Sequence, residues 1–177
     1  MGEIYDIIII GSGKMKLYVN EKLFSIHNKF YVKDENDIDV YEISSKIISL
    51  GDKTTINDMR GNKIVYIEQE LFHIMPNYNV YINDAFSFKI TKKFQLFKND
   101  YILSNGYRVE GNFMMLDFIV YDDNNNQIGS IKRKFISIGD KYEISINDIS
   151  KKEIVLSIIV AITNDVNRNQ KSSSSSD

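Results

Sequence analysis

The sequence predicts a mainly β protein: a closed antiparallel barrel of about twelve strands around a buried C-terminal helix. Three observations point there. The chain carries 29 Ile, 11 Tyr and 10 Phe but only two alanines, Ala85 and Ala161. β-branched and aromatic residues fit a pleated sheet, whereas alanine is the best helix former. A short motif, apolar–polar–apolar and then a turn, recurs along most of the chain, and one segment near the C-terminus is apolar almost all round.

With 177 residues, 43% hydrophobic and 26% charged, the chain is long enough for one domain with a real core. The absence of cysteine excludes disulfides, thiolate zinc sites and a cysteine nucleophile. Two histidines, His27 and His73, leave little material for an imidazole cage or a histidine dyad. A net charge of −2 supplies no global basic field for nucleic acid, and no apolar run approaches the ~20 residues that span a bilayer.

In chain order, residues 1–14 stand apart as an extension or leader strand. Tyr5-Asp6-Ile7-Ile8-Ile9-Ile10-Gly11-Ser12-Gly13 looks like the strand and glycine turn of a dinucleotide-binding unit. That mechanism needs a third glycine and a helix whose N-terminus faces the pyrophosphate. Here Lys14 to Val19 follows, another strand-like run. A single residue between the glycines before Lys14 also rules out a P-loop. No cofactor is therefore expected.

The body, residues 15–168, is a repeat. Phe24-Ser25-Ile26, Ile48-Ser49-Leu50, Phe72-His73-Ile74, Phe94-Gln95-Leu96 and Ile136-Ser137-Ile138 are its copies, each followed by a turn and alternating apolar residues. The polar marker falls at 25, 49, 73, 95 and 137, and the double-length last gap places a degenerate copy near Leu116. Six units of this length suit hairpins rather than βαβ crossovers. Twelve strands in one sheet would curl, and closure removes exposed edges. Such a barrel is too wide for strand side chains alone to fill.

A helix over about 151–166 supplies the filling. Ser150-Lys151-Lys152-Glu153 reads as a capping box, followed by the apolar run Ile154 to Ile162. Nine or ten residues rise only ~15 Å, half a bilayer, so the helix belongs inside the barrel. Residues 169–177, ending in Ser172 to Ser176 and Asp177, read as a flexible tail.

With these residues in hand the chain resembles the LURP-one-related family, within the tubby C-terminal and phospholipid scramblase superfamily. Leu23–Lys33, Ile47–Glu68, Lys92–Phe97 and Ser130–Ile146, with the helix after them, carry the likeness over about residues 15–168. The resemblance implies a non-enzymatic binding or tethering module, with phosphoinositide headgroups the ligand class on the tubby side. The competing class is a scramblase-like activity, with a nucleotide-dependent enzyme a distant third. Expected partners are an anionic membrane lipid or a protein, with no nucleic acid, no transmembrane segment and a cytoplasmic, peripheral location.

For chemistry the candidates are few. His27 and His73 take places held by glycine or serine in other copies, which marks them as structural. Asp122 to Gln127 alternates oxygen ligands, but Gln127 and Arg133 stand where a calcium loop needs glycine and glutamate. It reads as a hairpin turn, as does Asp34-Glu35-Asn36-Asp37. Neither a metal site nor a catalytic residue is assigned. The basic pairs and triplets Lys92, Lys93, Lys132, Arg133 and Lys134 are the candidate lipid or anion contacts, provided they converge on one face.

Overall fold

A computed structural model describes residues 13–20, 29–48, 51–94, 99–134 and 141–174. Residues 1–12 of the leader, His27 and the last residues of the serine tail, 175–177, lie outside the described residues, as do the first and last repeat copies and parts of the copies at 48–50 and 94–96.

Twelve strands form one antiparallel sheet. They are β1 (Met15–Asn20), β2 (Lys29–Lys33), β3 (Asp39–Ile48), β4 (Gly51–Asp58), β5 (Lys63–Gln69) and β6 (Asn77–Ile82), then β7 (Ala85–Phe94), β8 (Asn99–Leu103), β9 (Arg108–Asn112), β10 (Asp117–Tyr121), β11 (Gln127–Lys134) and β12 (Lys141–Ile146). Each pairs with its chain neighbours except β8 with β9, and one further pairing joins the two ends of the chain. β1 pairs with β12 along its whole length, from Met15↔Ile146 to Asn20↔Lys141. β8 and β9 form the two ends of the ladder and are joined by the turn after Leu103, where Gly106 N–H donates to the Leu103 carbonyl. The sheet thus rolls into a nearly closed barrel.

Antiparallel pairing sorts the connections into two ends. At the turn end three loops repeat one construction. Asp34, Asp58 and Asp122 each use Oδ1 to accept the backbone N–H groups two and four residues on, with a positive φ at Asp37, Gly61 and Asn125. These are side-chain-closed turns, so Asp34–Asp37 and Asp122–Asn126 serve as hairpin loops. Two connections of the opposite end are described. One, between β5 and β6, carries the repeat copy with Phe72, His73 and Ile74. The other, between β9 and β10, is a 3₁₀ turn, Phe113–Met115, closed by left-handed Leu116 where the degenerate copy was expected.

Alternate strand residues turn inward, among them Leu17 and Val19, Phe30 and Val32, Phe88 and Ile90, and Phe118 and Val120, all buried. They surround helix α1 (Lys152–Ser174), whose residues Val155 to Ile162 are wholly buried. Two details differ from expectation. Asp148, not Ser150, caps the entry: its carboxylate accepts Ser150 N–H at 3.0 Å and Ser150 Oγ–H at 2.6 Å across the 3₁₀ turn Ile149–Lys151. The helix also runs on past 166, so backbone expected to be tail is helical to Ser174. Past 166, Arg168 pairs with Asp52 on β4 and donates to Gln69 on β5 at the second rim. That rim is the helix-exit end.

Candidate functional site

The helix changes character as it rises. Asp165 follows Ile158 and Ile162 at helical spacing on an inward stripe, yet it is a carboxylate with 0% exposure. Tyr78 Oη donates to its Oδ1 at 2.9 Å, and Tyr101 Oη and Lys92 Nζ both donate to Oδ2 at 2.7 Å. Burial, then the Asp165 charge, pushes both tyrosines well above the usual phenol range. One turn on, Arg168 pairs with Asp52 and donates to Gln69 Oε1 at 2.6 Å. Asn164 Nδ2 donates to Thr54 Oγ1 at 3.0 Å, and Thr54 bonds Ser45 at 2.9 Å. Helix residues 164–169 therefore bind β3 to β8 through side chains. The network answers each charge within the chain and acts as a clasp.

This corrects the reading of Lys92. It is 8% exposed and neutralised by Asp165, so it is not an outward anion contact. The signal was present in the sequence: Lys92 shares the inward alternation of Phe88 and Ile90. Asp165, Arg168, Tyr78 and Tyr101 are residues that sequence reasoning missed, because their partnership joins distant segments.

Lys93 and Lys132 are exposed, and Arg133 and Lys134 half-buried. Lys134 lies 3.7 Å and Lys16 3.8 Å from Glu143, which also accepts Tyr18 Oη–H at 3.3 Å, and Lys132 is the direct cross-strand neighbour of Glu143. One buried acid is thus ringed by lysines on the outer wall. β7 and β11 run in the same direction and end on the helix-exit rim, but four strands apart, ~19 Å at the usual spacing. The anion reading requires these cations to share one face: Lys93, Lys132 and Lys134 lie toward one rim, spread along it, while Lys92 is turned inward.

Other candidates are structural. His73 Nε2 lies 3.1 Å from Glu70, which Lys89 holds at 2.7 Å and keeps below the usual carboxylate range. Lys151 Nζ reaches Asp122 at 2.7 Å, and that contact, with backbone N–H donors, draws the Asp122 pKa down to about 2. Among the described residues no group of three or more His, Cys, Asp or Glu is placed to hold a metal, and no helix is long and apolar enough to cross a membrane. An open depression of about 260 Å³ lies over β1 and β2 between Tyr18, Tyr31, Lys33 and Lys141, with Asp37 reaching both lysines.

The twelve-strand barrel with its internal helix has known counterparts. Residues 15–163 match the LURP-one-related family. The chain belongs to that family. The uncharacterised protein YxjI of Bacillus subtilis (strain 168) is 26% identical over 153 residues, covering 86% of this chain and 93% of YxjI. A protein of Arabidopsis thaliana with an X-ray structure superposes at a TM-score of 0.63 and 18% identity, over 88% of this chain and 93% of its own. That likeness establishes the LURP-one-related fold and carries no activity with it.

Proposed function

We propose that the chain is a non-enzymatic binding module that docks on anionic lipid headgroups by the helix-exit end of the barrel. The observation that supports this reading is the exposure of lysines on β7 and β11 at the helix-exit end. At the turn end the loops are closed by Asp34, Asp58, Asp122 and Asp148, with Glu35, Asp37, Asp84 and Asp123 beside them. At the helix-exit end the exposed charges on β7 and β11 are Lys93 and Lys132, with Lys134 half-exposed. At the turn end Lys33, Lys63 and Lys151 answer Asp37, Asp84 and Asp122, whereas Lys93 and Lys132 stand exposed at the other end, and such a local cationic field orients approach to an anionic surface.

Vesicles containing phosphoinositide test the proposal. Binding should fall as salt rises, because the Debye length shrinks from ~10 Å at 0.1 M to ~3 Å at 1 M. Lys93→Ser with Lys132→Ser should abolish binding and leave the melting temperature unchanged, Lys134 being kept because it pairs with the buried Glu143. Binding that ignores both salt and these substitutions would end the headgroup reading.

A further inference from the structure

Phe72 and Ile74 project from the helix-exit end, and among the described residues nothing lies over them. Their exposures are 100% and 102%. The segment bearing them is nevertheless well held: Glu70 N–H donates to the Asn77 carbonyl at 2.8 Å, and the Glu70 carboxylate gathers Lys89 and Asn79. Phe72 also has φ 65°. That left-handed conformation is adverse for a bulky aromatic and suits glycine or asparagine. The fold therefore bears two costs at one residue, backbone strain and a hydrophobic ring in water, with no contact among the described residues to offset either. Strain kept where no packing requires it marks a site that faces something outside the chain.

The rest of the rim indicates what that is. Beyond β7 and β8 the 3₁₀ turn holds out Met114 and Met115, 51% and 57% exposed. Lys93 stands between these two apolar tips, and Lys132 stands beyond them. A protein partner's anchor pocket favours one contiguous apolar centre with charge kept to its edge. Ile38, Met59 and Phe86 are exposed at the turn end too, among its acids; the helix-exit tips, which include the two fully exposed side chains and have lysines among them, fit a flat and yielding anionic surface, where side chains enter the acyl boundary and lysines stay with the headgroups.

We propose that Phe72 and Ile74, with Met114 and Met115, insert into the interfacial layer of an anionic bilayer. The proposal rests on the headgroup reading for its electrostatics and adds an apolar anchor to it.

The chain has no tryptophan, so Phe72→Trp introduces a sole indole reporter at the tip. With vesicles of phosphatidylcholine and phosphatidylserine its emission should shift to the blue and be quenched by brominated acyl chains. Phe72→Asn with Ile74→Ser should lose about 10- to 100-fold in affinity for the same vesicles. Phe72→Asn alone should raise the melting temperature by about 2–4 °C, because asparagine tolerates the left-handed backbone. If the native chain binds with salt sensitivity but the indole is unshifted and the double variant binds equally well, insertion is overturned and the headgroup reading stands. If the native chain binds neither mixed nor pure phosphatidylcholine vesicles, both readings fall. A blue shift that grows with protein concentration in the absence of lipid would assign the rim to contact between copies and overturn insertion.

Discussion

A carboxylate as deeply buried as Asp165 depends on its donors more than it stabilises by itself. Removing one partner of a buried pair strands the other charge, while removing both is often close to neutral. Lys92→Met should therefore cost about 3–5 kcal/mol by urea unfolding, and adding Asp165→Asn should recover most of the loss. Equal midpoints for the single and double variants would show that the pair is not coupled. The tyrosines around Asp165 set a second expectation. Burial holds the protons on Tyr78 and Tyr101, and also on Tyr41, whose pKa rises to about 12. An unfolded tyrosine ionises near pH 10, so the unfolded chain sheds protons there that the folded chain keeps. Stability is whole below about pH 10 and falls as pH climbs above it. Phenolate absorbance from these three should then appear only together with loss of the folded circular dichroism; free titration in the folded state would refute the burial. Lys92 also shows how legibility fails at this scale. Its alternation with Phe88 and Ile90 pointed inward, but the acid that permits the burial lies 73 positions away.

Helix α1 was legible where it is apolar and obscure where it is polar. Val155 to Ile162 reads as buried from composition alone, whereas Asn164 to Asn169 looks like an unravelling end until Ser45, Thr54, Gln69 and Tyr101 are seen around it. The start misled for a related reason: Ser150 has the right residue type, but it donates both its hydroxyl and its N–H to the carboxylate of Asp148, two positions earlier. The fit between helix and wall is closest at Gly129 on β11. A Cβ there would press on both Val155 methyls and lie 3.1 Å from the Ser145 carbonyl. Gly129→Ala should cost about 1–3 kcal/mol by overpacking. Combined with Val155→Ala, the two losses should be less than additive by more than about 0.5 kcal/mol. Strict additivity would locate the obstruction at the Ser145 backbone instead.

At the scale of the molecule, the repeat allowed the strands to be counted, and the count of twelve holds. Which cations would face one another was beyond that reasoning. Distance around a ring depends on where the ring closes, and here β1 meets β12 while β8 and β9 end the ladder. Lys93 and Lys132, expected together, became two stations on one rim. The same closure has a consequence for how the protein is made. Its first described strand needs its twelfth as partner, and the helix that fills both follows all of them in the chain. A ribosome thus produces the wall before the filling, and contacts of such long range are slow to form. A chain stopped at Asn147 should show no cooperative thermal transition, and a sharp one would prove the wall self-sufficient. Until Val166 has emerged, the inward faces of every finished hairpin are an apolar surface without a partner, so the nascent chain depends on whatever shields it during translation.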